Sequence, residues 1–433
     1  MLTVYNLYQD TLNLAEIYSQ NILDPNLDPQ LPANFLLSLK KLNRQIKIIP
    51  QDYLSILEEL LTGEENFIIL LQNSDELRAS GGFMGSYARV EIVDGVVKNF
   101  YIQDIYEADG QFAGRVEAPP GVREYLSGEQ GMRLPDANWE ADFPQAAKQI
   151  LVYFALGKEK QIDHVVAINA TFFNQVLQNL GQIYVPDYQV NIDFNNFSAV
   201  ARADRQEFFP GSKQKTNFLT AAFTQIKIRL SQLTFREKVN LFKVVKVNLA
   251  AKNILFYSSQ ENLQNIFLKN NWAGALNIDR DWYLYLLESN VGVNKANAQV
   301  SREVKINLDE EQIEITWHNQ NSDQEYINYQ RVILPTTVKV TKITQDRQEV
   351  TLKDEEIITN SLGQDFKQIG FLAPVAPQQK STVTIQLINH STNQPINLYL
   401  IKQSGLAATP YTIRYNQKVE NFILESDHVV KLN

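Results

Sequence analysis

The hydrophobic periodicity of this 433-residue chain changes near residue 290, and no single fold class accommodates both sides of that change. Upstream, strand-like and helix-like patterns alternate. Asn66–Leu71 is a short continuous apolar run, as in a strand buried on both faces. Tyr87–Val93 and Val96–Ile102 alternate apolar with polar residues and are joined by Asp94-Gly95, a strong hairpin signal. Residues 143–156 read as a helix with Asp142 as N-cap, Pro144 in the first turn and Gly157 after the end. Ile162–Ile168 follows as a second buried strand, and Thr171–Leu180 as a helix ending at Gly181. Further helices are expected over residues 214–230, from the Thr234–Glu237 capping box onward, and over Glu261–Leu268, with a strand at Asn253–Tyr257. Downstream, Gln299–Ile306, Gln312–His318, Arg331–Leu334, Thr337–Thr341, Thr382–Ile388, Asn397–Ile401 and Thr409–Tyr415 are short β-patterned runs without helical spacing. The expected fold class is α/β: a three-layer α/β/α domain with a mixed sheet, preceded by N-terminal helices and followed by an all-β immunoglobulin-like sandwich. The expected boundaries are 1–62 for the helical segment, 63–290 for the α/β/α domain and 291–433 for the sandwich.

Charge and composition narrow the function. Lys and Arg number 40 against 49 Asp and Glu, a formal charge of -9 with no dense basic cluster, which argues against nucleic acid as a partner. With no cysteine, thiolate catalysis, disulfides and Cys-ligated metals are excluded. No uncharged apolar run reaches the ~18 residues that a membrane-spanning helix needs. The first twenty residues lack a basic stretch followed by an apolar one, so they do not read as a signal peptide. They read as an amphipathic helix through Leu7, Leu12, Leu14, Ile17 and Tyr18. The four histidines are scattered, and His164, in a strand, is expected to be a satisfied core residue. HExxH, GxSxG, the Walker A loop and a helix-opening GxGxxG are all absent.

Three constellations remain. The first is the turn Glu76–Ser86, where Arg78, Ser80, Gly81 and Gly82 either grip a phosphate or make a tight crossing between strands. The second is acidic and aromatic. Asp104 and Asp136 are candidate catalytic bases, Asp104, Asp109 and Asp136 are candidate ligands for Mg²⁺, and Tyr106, Asn138 and Trp139 are candidate glycan contacts. Asp142 as a cap and Trp139 as a core residue are the competing structural readings. The third is Arg202, Arg205, Lys213 and Lys215, of which the two lysines fall near a helix start. There cations oppose the helix dipole unless an anion such as phosphate compensates them; a solvated basic turn is the competing account and the slightly better one.

The segments ELRASGGFMGS (76–86), DIYEADG (104–110), PDANWEADFP (135–144), IDHVVAINATFFNQVLQNLGQIYVPDY (162–188), NWAG (271–274) and YINYQRVILP (326–335) together resemble the bacterial domain of unknown function 4012 family. That family usually has Pro-Thr where this chain has Ala79-Ser80. The resemblance implies an extracytoplasmic, cell-envelope location behind an N-terminal membrane anchor, a segment this sequence does not contain. A remoter similarity is to the LytR–CpsA–Psr family, which transfers glycopolymers from polyprenyl-pyrophosphate carriers. It implies Lys213-Gln214-Lys215 as a pyrophosphate clamp and a polyprenyl-phosphate-linked glycan or peptidoglycan as partner. The family's Arg-Ser-Asp turn falls near Ser80-Gly81-Gly82 without its charges, and its Pro-Arg-Asp turn falls near Gln103-Asp104-Ile105 without its arginine. A transferase would then need Arg78, or a metal at Asp104, to offset the charge of a pyrophosphate. The alternatives are a non-catalytic envelope scaffold, a glycan-binding module built on the β-sandwich, or a cytosolic protein whose sandwich mediates assembly.

Overall fold

The computed structural model describes residues 10–432 apart from 19–27, 29, 47–50, 112–113, 158, 160, 204–212, 277–281 and 390–396. Helices α1 (10–18), α2 (Leu31–Ile46) and α3 (Gln51–Leu60) come first. The α/β part contains β1 (Glu64–Asn73), β2 (Phe83–Val93), β3 (Val96–Asp104), α4 (Ile105–Asp109), α5 (Phe143–Leu156), β4 (His164–Asn169) and α6 (Ala170–Leu180). It continues through the hairpin β5 (Ile183–Val185) and β6 (Val190–Ile192), then α7 (Phe197–Ala203), α8 (Lys213–Ser231), α9 (Phe235–Ala250), β7 (Ile254–Ser258) and α10 (Glu261–Lys269).

Five strands form a mixed sheet in the order β3-β2-β1-β4-β7, in which β1 and β4 are parallel and the other neighbours antiparallel. The β2–β3 hairpin turns at Asp94 and Gly95, both with positive φ, as the Asp-Gly signal requires. Side-chain alternation along β1 serves both faces of the sheet. Ile68 and Leu70 pack with Phe143, Ile150 and Phe154 of α5, whereas Ile69 and Leu71 pack with the α6 and α8 residues Leu177, Leu180, Phe218 and Ala222. His164 is a satisfied core residue, its Nε2 lying 2.6 Å from Oε2 of Glu65. Asp142 occupies the N-cap position of α5, but its carboxylate bonds no N–H of that helix. It accepts instead from the backbone N–H groups of Leu276 (2.9 Å) and Ser361 (3.0 Å), tying α5 to distant segments.

The C-terminal part is all β. Its strands are β8 (Tyr283–Asn290), β9 (Val300–Asn307), β10 (Gln312–Asn319), β11 (Tyr326–Leu334), β12 (Val338–Gln345), β13 (Gln348–Glu349) and β14 (Asp354–Thr359). There follow β15 (Asp365–Val375), β16 (Lys380–Asn389), β17 (Asn397–Ile401), β18 (Thr409–Tyr415), β19 (Lys418–Leu424) and β20 (His428–Lys431). They form a seven-stranded sheet, β13-β12-β16-β10-β9-β18-β19, and a six-stranded one, β14-β15-β11-β8-β17-β20. Residues of both sheets share one apolar core that includes Leu284, Trp317, Phe371 and Ile385. Strand β8, which lies upstream of residue 291, is a central strand of the six-stranded sheet. All eight of its residues are buried. Leu284 and Leu286 face the core between the sheets, while Tyr283, Tyr285 and Leu287 pack with Ala79, Ala141 and Leu276 of the α/β part. Among the described residues no helix is long and apolar enough to cross a membrane.

Candidate functional site

The turn between β1 and β2 is the joint between the α/β part and the β region. Arg78 is 1% exposed. Its Nε donates to Asp136 (3.3 Å), its Nη2 to Glu76 (3.0 Å), and its Nη1 to the backbone carbonyls of Asn290 (2.7 Å) and Leu77 (3.2 Å). The guanidinium is therefore directed at internal partners, and burial nevertheless pushes the Glu76 carboxyl above the usual carboxylate range. Ser80 accepts from Gln72 Nε2 at 2.8 Å. Gly82 has φ +153°, and a Cβ there would lie 2.2 Å from the carbonyl oxygen of Asn73, so close backbone approach explains the glycine without a ligand. Asn138 donates to the Gly82 carbonyl at 2.8 Å.

The acidic loops do converge on this turn, and they also bond inward. Asp104 is 2% exposed and caps α4, accepting from the Tyr106 N–H at 3.0 Å. Asp109 accepts from Arg133 (2.8 Å to Nη2) and from the Leu134 N–H (2.9 Å). Asp136 is held by Arg78. Among the described residues no group of three or more His, Asp or Glu side chains could hold a metal ion, so Asp104, Asp109 and Asp136 form no Mg²⁺ cage. Tyr106 is 36% exposed, and its hydroxyl pKa is raised, first by burial and then by the nearby carboxylates of Asp136, Asp104 and Glu76. Trp139 is 2% exposed beneath the Arg331 guanidinium, 4.4 Å from the ring centroid, and offers no open face on which a sugar could stack. The third constellation is only partly placed. Arg202 lies in α7, Lys213 and Lys215 open α8, and Arg205 falls outside the described residues. The side chains of Arg202, Lys213 and Lys215 are likewise outside what the structure describes.

A large cavity lies beside the turn, at the C-terminal ends of the parallel strands β1 and β4, where open α/β sheets place ligands. It has a volume of about 600 Å³. Its walls are Leu71, Ile168, Phe173, Phe197, Leu219 and Phe223, from the sheet and from α6, α7 and α8. Phe173 anchors the aromatic wall, its ring 4.7 Å from Phe197 and 5.2 Å from Phe223. The polar residues lining it are mostly amides and acids: Gln72, Asn73, Asp75, Glu76 and Asn169, with Lys295 reaching in from the β8–β9 connection. That connection is fixed to the turn by Asn297, whose Nδ2 donates to the Ser74 carbonyl at 2.6 Å. Of the sequence-derived candidates among the described residues, only the flanks of the glycine turn, Glu76, Phe83, Gly85 and Ser86, border the cavity. Its phenylalanines were missed because they read as ordinary core residues of amphipathic helices. The available signal was the parallel pairing of two buried strands, whose ends would mark the spot.

No curated protein matches the chain. Solved structures with partial likeness include the Lin1025 protein from Listeria innocua, at 12% identity and TM-score 0.25, covering 52% of this chain and 86% of that one. Others are the transcriptional regulator EF0465 from Enterococcus faecalis (14%, TM-score 0.26, 51% and 77%) and TagV of B. subtilis (13%, TM-score 0.25, 48% and 80%). At such scores these likenesses carry no argument. The sequence match is more definite: residues 62–205, which include β1, the glycine turn and most of the cavity wall, are similar to the family described as "Protein of unknown function (DUF4012)".

Proposed function

We propose that this is an extracytoplasmic cell-envelope protein that binds a polyprenyl-phosphate-linked glycan by its hydrocarbon chain and does not transfer it. The single observation that carries this reading is the 600 Å³ cavity, with aromatic and aliphatic walls and a polar border of amides, acids and one lysine. An amphipathic ligand satisfies both surfaces at once: a chain against Phe173, Phe197 and Phe223, and a head toward the polar border. The phosphate would lie toward the start of α8, where Lys213 and Lys215 are placed by sequence. The internal commitments of Arg78, Asp104 and Asp136 favour binding over catalysis, since a general base needs a free lone pair directed at substrate. The frame we infer is a three-layer α/β/α unit, supported by α5 on one face of the sheet and α6 and α8 on the other, followed by an enlarged immunoglobulin-like sandwich.

The test is equilibrium binding of a short-chain polyprenyl phosphate to the full chain and to Leu219→Trp, which fills the cavity from α8. Binding should be measurable in the parent and at least ~10-fold weaker in the variant, since bulk there displaces ligand hydrocarbon worth about 0.8 kcal/mol per CH₂. A thermal melt serves as the folding control. Equal affinity of the two proteins, or no binding by the parent, would remove the proposal.

A further inference from the structure

We propose that the outward face of α9 is a docking surface for an anionic lipid membrane. Arg236, Val239, Asn240, Lys243, Lys246, Val247 and Ala250 are exposed at three- and four-residue spacing, so they form one stripe along the helix. Val239, Phe242 and Val247 are 37%, 55% and 61% exposed. Single exposed apolar side chains are ordinary on protein surfaces, but three interleaved with bases on one helix are a contiguous patch. The only acid in the helix is Glu237, at its first turn, and it is engaged by Arg229 and Thr234. A stripe with three bases and no acid stands out in a chain whose formal charge is -9.

The patch adjoins a second cavity, of about 230 Å³, which Phe242, Val245 and Leu249 of α9 form with Phe67, Phe267 and Trp272. This lining is almost entirely hydrocarbon and aromatic ring. His164 borders it, but its Nε2 is occupied by Glu65. The carboxylates on the opposite wall, α3, have partners of their own: Asp52 pairs with Lys269, Glu58 with Lys40, and Glu59 accepts from Asn262. Bases that attract anionic head groups, beside exposed apolar side chains and an apolar cavity, match the requirements of an interfacial helix. A nucleic acid would use the bases and leave the apolar surface exposed, so a lipid is the better fit.

The test is co-sedimentation of the full chain with vesicles of phosphatidylcholine alone and of phosphatidylcholine containing about one-third phosphatidylglycerol. The protein should bind the anionic vesicles, and higher salt should weaken the binding. Each lysine near an anionic surface is worth about a fivefold gain in partitioning, so the double variant Lys243→Gln/Lys246→Gln should bind roughly 25-fold more weakly. Phe242→Ser should also weaken binding, and do so at high salt. All three positions are on exposed surface, and circular dichroism serves as the folding control. Absence of vesicle binding, equal binding by the glutamine variant, or preferential capture of a single-stranded oligonucleotide at the same salt would each overturn the assignment.

Discussion

At the scale of single residues, Arg78 decides how the glycine turn is understood. Its four hydrogen bonds reach Glu76 and Leu77 nearby, Asp136 in a loop 58 residues away, and Asn290 at 212 residues. A buried guanidinium that loses its partners, or partners that lose their cation, leave charge stranded in a poorly polarisable interior. Arg78→Met is therefore expected to lower stability by roughly 3–5 kcal/mol, read from the urea midpoint. If Arg78 served a ligand instead, the same substitution would leave the midpoint in place and change only affinity. The local sequence shows an arginine among glycines and serines, which fits both uses. Nothing within the turn reveals that Asp136 and Asn290 fold onto it, because that information lies in the tertiary path of the chain.

Elements with their own start and stop signals were the most legible part of the sequence. The Asp94-Gly95 hairpin lies where its turn residues put it, and the helix from Phe143 to Leu156 starts directly after Asp142, although that carboxylate makes no cap bond. The capping box of α9 is complete: Thr234 Oγ1 accepts from the Glu237 N–H, and the Glu237 carboxylate accepts from the Thr234 N–H at 2.8 Å. Hydrogen bonds from Arg229 and then Thr234 hold that carboxyl down to about 2, so the cap persists until well into acid. Thr234→Ala should cost about 1 kcal/mol in a denaturant titration, with the local loss visible as faster amide exchange in the first turn of α9. Strands without such signals were missed. β15 contains Gly370 and Pro374, residues that normally argue against a strand. The glycine is there because a Cβ would lie 1.7 Å from Asp354 Oδ1 and 2.6 Å from Tyr329 Oη, a crowding that no one-dimensional pattern carries. β8 lacks alternation for a different reason: one of its faces belongs to the sandwich core and the other to the α/β part.

Across the whole molecule, buried hydrogen bonds tie the two parts together. Gln403 Nε2 donates to the carbonyls of Glu288 and Arg78, and Arg331 donates to the carbonyl of Trp139 at 2.8 Å. The same junction contains a buried cation with an unusual titration. Lys402 is 4% exposed, and its ammonium donates to the Gln403 and Leu406 carbonyls. Burial first, and then the neighbouring Lys252, push its pKa down to about 8, while Asp427 works in the opposite direction. Asp427 is itself shared, accepting from the Lys252 ammonium of the α/β part at 2.8 Å and from the Lys402 backbone N–H at 2.8 Å. An unfolded lysine holds its proton to about 10.4, so between pH 8 and 10 the unfolded chain binds more protons than the folded one. Stability must then rise with pH through that window, by up to about 3 kcal/mol, and the penalty is fully present below it. Buried tyrosines act in the opposite sense, because burial raises Tyr18 and Tyr153 to about 12 and the folded state then keeps protons that the unfolded state loses. Their effect begins only near pH 10, above most of the Lys402 window, whereas burial also lowers the Lys227 pKa and so adds in the same sense as Lys402. The urea midpoint of the parent should climb from pH 8 to 10, whereas that of Lys402→Met should start higher and climb less. A variant that climbs in parallel with the parent would place the titrating group elsewhere and leave the junction without a pH-sensitive charge.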